Sequence, residues 1–502
     1  MRWSVISTGE TTTVAFRSAK AACFRGAKGD KPIDIRSMKQ ATLHNLHEAI
    51  GGKLRPAAGT VAQLSVTALG PVVTDSRQVE PGDVFWAIRG TRYDGTDFAA
   101  DAIARGAAGV VVRRPVQVSA DRWTITVADT QQALWQWAAW HRRRFGGTVI
   151  GVTGSVGKST TRQMIDTVLG SRLAGSASPR NYNNHIGVPL SMLAIEPEHD
   201  YAVLELGASR VGEIAALAAL CAPKLGVITH VGDAHLGGFG SRQGIAQSKA
   251  ELLAALPENG RAVLVDDPWV RQMAKHCKAP ITWVGCASDC DVRAQNVSCG
   301  GGSLCFTVRD TNFRLPVWGQ HHLGGALVAV AVGRALGFDL DDVAEALAQF
   351  NPLPMRCEVV DIRGATVIND TYNASPTAMR AALELLRDFD TTGRRIVICG
   401  DMAELGNEAI SLHRRLGEEI VSIGRADMLI ACGQFARDVV EGARKAGLPT
   451  NRAIPCRDAD EAMPFVGQAV LPGDVALVKG SRVMAMERVV DALRQYPQRR
   501  SA

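Results

Sequence analysis

Short apolar runs recur along most of this chain, separated by polar stretches of helical length. From Gly146 onward the runs are VIGVTG, YAVLELG, LGVITHV, RAVLVDD and ITWVG. Continuous apolar runs predict strands buried on both faces, and their alternation with helical stretches predicts a parallel sheet with crossover helices. An apolar helix, Leu323 to Gly337, and the NPLP turn at 351–354 close this unit. A further unit repeats the alternation with ATVIND, RRIVICG, ADMLIACG and DVALVKG, the pattern of a doubly wound sheet. Ahead of both, short strands and helices alternate around a turn-rich centre, VVTDSRQVEPGDVFWAIRGTRYDGTDF.

Two helices of the first unit are legible in detail. The segment MKQATLHNLHEAIGG, from Met38, reads as the first helix of the chain. A second is predicted over 130–144, with Asp129 as cap and Gln132 placed for a capping box. Its Trp135, Trp137 and Trp140 are expected to pack at a domain edge rather than to stack on nucleic acid.

Length and composition support this division. At 502 residues the chain exceeds one hydrophobic core, and a prior of about 150 residues per domain gives roughly three. The expected boundaries are 38–145, 146–353 and 354–502. Residues 1–37, with seven Lys or Arg against three Asp or Glu, carry +4 of the net +6 and lack a secretory core. They read as a disordered extension or a mis-assigned start, with a transit peptide as the alternative. The remaining charge is dispersed and aromatics are only 5%, which argues against nucleic acid. No apolar run approaches the ~18 residues of a membrane span. Eleven cysteines without a CxxC pair argue for reduced thiols in the cytoplasm, and the spacing of Cys286, Cys290, Cys299 and Cys305 does not suit zinc.

The candidate chemistry begins at TGSVGKST, between a predicted strand ending near Val152 and a helix expected from Thr160. Backbone N–H groups of Thr153, Gly154, Ser155, Val156, Gly157, Ser159 and Thr160 and the ammonium of Lys158 would face a triphosphate there. Ser159 is placed to ligand magnesium. The loop is a variant of the usual phosphate loop, with Val152 where the strict pattern has glycine. Glu205 ends one strand and His235 follows another on the same sheet edge, so a second magnesium between them is chemically reasonable.

The segments GVTGSVGKSTT, RNYNNHIGVPLSML, ELGASRVGEI and DAHLGGFGSRQGIAQSKAEL together resemble the Mur ligases, over roughly residues 40 to 495. The resemblance implies three α/β domains: an N-terminal UDP-substrate-binding domain, a central mononucleotide-binding parallel-sheet domain and a C-terminal Rossmann-like domain. INDTYNASPTAM, GDMAELG and LVKGSR resemble the dipeptide-adding branch. That branch joins D-alanyl-D-alanine to UDP-N-acetylmuramoyl-tripeptide through an acyl phosphate, in cytoplasmic peptidoglycan precursor synthesis. The same resemblance implies ATP, two magnesium ions and a carbamylated Lys249, which with Glu205 and His235 would hold the second metal. It assigns Asp75, Ser76 and Arg77 to the UDP end and Asn183 and Asn184 to the muramyl substrate. Arg356 falls to the phosphates, Asp370, Tyr372 and Asn373 to ribose and base, and Lys479 and Ser481 to the dipeptide. A monomer acting on small molecules is expected.

One segment departs from the pattern. Where the family carries GRHNxxNA, this chain has GQHHLGGA, so that His322 and Gly325 replace two asparagines that approach adenine. Relaxed nucleotide selectivity follows as an expectation. The alternatives are a ligase adding a diamino acid, a nucleotide-dependent binding protein without catalysis, and a generic phosphate-loop ATPase; the last gives no reason for the TDSR segment.

Overall fold

The computed structural model describes residues 41–58 and 65–495, so the 1–37 extension and the first residues of the MKQAT segment lie outside the described residues. The backbone divides into two compact units, one up to Leu134 and one from Trp135. The division falls within the helix Thr130–Arg142, ahead of the boundary expected at 145.

The first unit is a five-stranded sheet of β1 (Lys53–Arg55), β2 (Val72–Val73), β3 (Val84–Trp86), β4 (Gly109–Val112) and β5 (Trp123–Thr126), in the order β1-β5-β4-β3-β2. Only β1 runs antiparallel to its neighbour. β3 and β4 are buried along their whole length, as apolar runs covered on both faces must be. The first helix is shorter than its sequence pattern, Leu43–Ile50, because Thr42 caps it by accepting the N–H of Asn45.

The second unit contains the three remaining sheets. Strands β6 (Thr148–Thr153), β7 (Gly175–Ala177), β8 (Tyr201–Glu205), β9 (Leu225–Ile228), β10 (Arg261–Val265), β11 (Ile281–Gly285) and β12 (Val292–Arg293) form an all-parallel sheet in the order β12-β11-β10-β9-β6-β8-β7. β6 therefore lies in the middle, with β8 and β9 on either side. A separate antiparallel sheet of β13 (Gln295–Gly300), β14 (Ser303–Val308) and β15 (Thr311–Leu315) joins the same core through stacked Phe306 and Phe313. The sequence reading did not contain it.

The C-terminal sheet comprises β16 (Glu358–Ile362), β17 (Ala365–Asp370), β18 (Arg395–Gly400), β19 (Met428–Cys432), β20 (Ala453–Cys456) and β21 (Val475–Lys479), in the order β16-β17-β21-β18-β19-β20. All but the hairpin β16–β17 are parallel, and apolar clusters cover both faces. This is the doubly wound arrangement. The helix capped at Asp129 buries Trp137 and Trp140 in mutual contact, while Asp129 accepts from the N–H groups of Gln131 and Gln132. Among the described residues no helix is long and apolar enough to cross a membrane, and the ten cysteines are free thiols.

Candidate active site

The phosphate loop leaves the buried end of β6. Gly154 and Gly157 both adopt positive φ, +150° and +81°, and a Cβ at Gly154 would stand 2.1 Å from Thr229 Oγ1. Only glycine fits that approach. The helix begins at Lys158, two residues before the expected Thr160, because the left-handed Gly157 completes the turn and serves as its cap. No side chain caps the first N–H groups of this helix, an arrangement suited to an anion. The loop is braced from β9: Ser155 N–H donates to the His230 carbonyl at 2.7 Å, Ser155 Oγ to the Gly232 carbonyl at 3.0 Å, and Thr229 Oγ1 to the Val156 carbonyl at 2.6 Å. Thr153 is fully buried and donates to the Leu206 carbonyl, while Thr160 is buried in the helix start.

Around the loop, charge converges. Ser159 Oγ donates to Glu205 Oε2 at 2.6 Å, and Asn183 Nδ2 donates to Glu205 Oε1 at 2.8 Å. Arg356 reaches across from the C-terminal sheet, its Nη2 donating to Ser159 Oγ at 3.0 Å and its guanidinium lying 3.9 Å from the Tyr372 ring centroid. Lys158 Nζ folds back onto the carbonyls of Gly154, at 2.9 Å, and Ser155, at 3.3 Å. Burial of its ammonium pushes Lys158 below the ordinary lysine range, against the attraction of Glu205 and with the repulsion of Arg356. Of the residues expected at the site, the structure brings Lys158, Ser159, Glu205, Asn183, Arg356 and Tyr372 together. The sequence reading missed Arg162, one turn further along the same helix, which is 5% exposed with an Nε that has no hydrogen-bond partner. Burial lowers its pKa against the charges of Glu205 and Asp166. Spacing from Lys158 was the signal that would have found it.

Other predicted residues take different posts. Asn184 accepts the N–H groups of Ile186 and Gly187, so it shapes the start of the helix Gly187–Leu193 while Asn183 turns to Glu205. Lys479 Nζ is buried against Asp370 Oδ2, at 2.6 Å, and the Asn373 carbonyl, at 2.8 Å. Ser481 Oγ accepts from Ala403 N–H at 2.8 Å and is 2% exposed. Lys479 thus braces the Asp370–Asn373 segment, and Ser481 Oγ also donates to the Ala374 carbonyl just beyond it, at 3.4 Å. In the first unit, Asp75 Oδ1 accepts the N–H of Arg77 and Asp75 Oδ2 pairs with the Arg77 guanidinium at 2.6 Å, with Ser76 buried between them.

The remaining groups lie along two helices that follow β9. His235, with φ +58°, caps the short helix Leu236–Phe239 and pairs through Nδ1 with Glu404. Lys249, on the helix Arg242–Ala254, is 3% exposed with its Nζ 5.2 Å from the Phe239 ring centroid. Burial, reinforced by Lys158, lowers its pKa to about 7. The His322 ring lies tilted against that of His321, centroids 4.1 Å apart, and burial holds it well below the usual histidine range. At Gly325 an ideal Cβ would stand 2.8 Å from Thr161 Oγ1 and 3.3 Å from Met164 Sδ, so the missing side chain lets its helix close on the phosphate-loop helix.

The donor set fits a hard cation at Ser159 and Glu205, which offer a hydroxyl and a carboxylate in contact. Glu205 and the imidazole of His235 are likewise suitable donors, whereas Lys249 as an ammonium would repel a metal and suits it only once converted to an anion. Among the described residues no group of three or more His, Cys, Asp or Glu stands ready to hold a metal.

A glycine-lined loop at the carboxyl edge of a parallel sheet, with Lys158, Arg162 and Arg356 facing Glu205, defines a nucleoside-triphosphate-using phosphoryl-transfer enzyme. Comparison with known proteins narrows the class. Family models for the Mur ligase catalytic domain, the Mur ligase middle domain and the Mur ligase glutamate ligase domain match residues 71–141, 152–333 and 355–482. The chain is 34% identical over 464 residues to the UDP-N-acetylmuramoyl-tripeptide--D-alanyl-D-alanine ligase of Bacillus subtilis, covering 92% of this chain and all of that one. It is also similar to the crystal structure of MurF from Acinetobacter baumannii, with TM-score 0.80, 32% identity, and 90% and 98% of the two chains covered. MurF from Thermotoga maritima in complex with ADP gives TM-score 0.73 and 30% identity, over 85% and 97%. The chain belongs to the Mur ligase family, in its MurF branch.

Proposed function

We propose that this chain joins D-alanyl-D-alanine to UDP-N-acetylmuramoyl-tripeptide at the expense of ATP, giving the muramyl pentapeptide, ADP and phosphate in peptidoglycan precursor synthesis. The observation that carries the reading is the convergence of Lys158, Ser159, Glu205 and Arg356 at a phosphate loop, in a chain aligned over its length with dipeptide-adding ligases.

The terminal carboxylate of the tripeptide is a poor electrophile. Its oxygen attacks the γ-phosphorus, the bond to the β-bridging oxygen breaks, and ADP leaves from an acyl phosphate. The amine of the dipeptide then attacks the acyl carbon and gives up a proton, and phosphate departs with the electron pair of the C–O bond. The first step transfers a phosphoryl group whose charge spreads over its oxygens, so the work of the protein is positioning and electrostatic stabilisation. Lys158 and the helix N-terminus face that charge, and Arg356 brings a second cation from the C-terminal sheet. Magnesium, bound by Ser159 and Glu205, would neutralise further phosphate charge. Asn183 fixes the Glu205 carboxylate from the loop assigned to the muramyl substrate.

A second magnesium at Glu205 and His235, with Lys249 carbamylated, belongs to the same proposal. What supports it is the burial of Lys249: a lysine at about 7 is substantially neutral at physiological pH, and a neutral amine can attack carbon dioxide, forming an N–C bond and releasing a proton. The resulting carbamate is an oxygen donor.

The test is phosphate release from ATP with the muramyl tripeptide, with and without D-alanyl-D-alanine, following product mass. Pentapeptide formed in step with phosphate and only with the dipeptide is the expected result. Product with a diamino acid instead, or none from folded protein, overturns the reading. A 13C label from bicarbonate on Lys249 tests the carbamate separately.

A further inference from the structure

The loop after β18 touches the helix start after β9 in two ways that neither sheet alone requires. Glu404 and His235 both hold left-handed backbone, at φ +64° and +58°. Non-glycine residues keep that conformation only where their surroundings enforce it. The carboxylate of Glu404 meets Nδ1 of His235, and the N–H of Gly237 donates to the Glu404 carbonyl at 2.9 Å. The two backbones are also in contact: a Cβ at Gly237 would stand 2.9 Å from Gly406 N and 3.1 Å from the Glu404 carbonyl oxygen. This is a fitted seat, formed by glycine against glycine, and the side-chain pair sits on top of it.

As a stabilising ion pair the contact has little to offer, since the Glu404 side chain is 59% exposed and such pairs contribute little. Its chemical effect is directional. A carboxylate only accepts, so in the neutral imidazole the proton sits on Nδ1 and Nε2 keeps its lone pair. That tautomer offers Nε2 to a cation, and carboxylate partners of this kind raise ligand basicity and fix the ring plane. We propose that Glu404 is a positioning residue, which sets the tautomer and direction of His235 only when the C-terminal sheet is seated on the central one. Seating of the C-terminal sheet and completion of the cation site are then one event. The proposal rests on the ligase reading of this site.

Three variants test it in the full-length protein. Glu404→Gln keeps the shape and removes the charge, Glu404→Ala removes the contact, and Gly237→Ala wedges the seat open without touching either side chain. With a non-hydrolysable ATP analogue bound, Mn2+ affinity is measured by electron paramagnetic resonance and domain seating by small-angle scattering. Both Glu404 variants are expected to weaken the weaker Mn2+ site about 10- to 100-fold. The magnesium concentration for half-maximal ligation should rise in parallel, with KM for the dipeptide unchanged and melting temperature within about 4 °C. Gly237→Ala should weaken Mn2+ in the same way and shift the scattering profile toward a more extended form. Unchanged Mn2+ affinity in both Glu404 variants, with or without altered scattering, overturns the proposal. Absence of ligated product from the unmodified protein would instead remove the ligase reading, and the Mn2+ comparison would still decide the role of Glu404.

Discussion

Replacing Lys479 by methionine strips the partner from a buried carboxylate while keeping most of the packed volume. The Lys479 and Asp370 side chains are 2% and 12% exposed, and their charged atoms are 2.6 Å apart. The other bond to Asp370, from Cys357 N–H, is 3.3 Å long and cannot replace the ammonium. Breaking a buried pair from one side costs about 3–5 kcal/mol, because the remaining charge is left uncompensated. At about 2–4 °C per kcal/mol for domains of this size, the C-terminal transition should fall by roughly 6–20 °C. Differential scanning calorimetry of the full-length chain measures this, and the loss should persist at high salt because a buried pair is little screened. Removing both charges, with Asp370→Asn and Lys479→Met together, should recover much of the loss. A single variant that melts within about 2 °C of the parent, or a double variant no better than the single, would refute the reasoning.

Other perturbations address the site and the first unit. Lys158→Met should reduce turnover by about 10²–10³-fold, the scale of losing one electrostatic donor, with substrate affinity for the muramyl peptide little changed in equilibrium binding. Gly325→Asn, which restores the residue type of the related motif, meets Thr161 and Met164 and should cost about 1–3 kcal/mol in thermal unfolding. If Gly325 also relaxes base selectivity, the unsubstituted chain should use GTP at a rate comparable to ATP, and a strong ATP preference would exclude that. Asp94, held at about 2 by the N–H of Thr96 and by Arg113, lies below its ordinary 3.8. Its stabilisation is therefore complete above about pH 4 and lost as the pH falls toward 2. Asp94→Asn should lower the melting point of the first unit at pH 7, with the difference from the parent vanishing in acid.

Much of the fold was legible because buried parallel strands announce themselves: VIGVTG, YAVLELG and DVALVKG all became interior strands with their ends at the site. The antiparallel β13–β15 sheet escaped because its strands are half exposed, and Ser303–Val308 alternates where the others run continuously apolar. Its turns at Gly301, Gly302 and Arg309, all at positive φ, were the available signal. The phosphate loop was readable as local chemistry, but the helix start was misplaced because left-handed Gly157 does the work of a cap without a capping side chain. Glu404 could not be found from spacing, since 169 residues separate it from His235 and only the packing of two sheets unites them. Lys479 shows the reverse case: its place at a strand end was legible, but the ammonium expected to meet the dipeptide is spent inside the protein.

The position of β21 has a consequence for biosynthesis. This last strand lies between β17 and β18, so the middle of the C-terminal sheet is made from the ends of its sequence. Asp370 leaves the ribosome 109 residues before Lys479, and at about 5–20 residues per second that is a delay of roughly 5–22 s. From the completion of β18 at Gly400 until β21 is made, the apolar edges of β17 and β18 have no strand between them, while every strand of the sheet around the phosphate loop has already been made. Unpaired apolar edges are where nascent chains associate wrongly, so slowing translation between codons 401 and 475 should lower the yield of active protein without altering the stability of the molecules that finish.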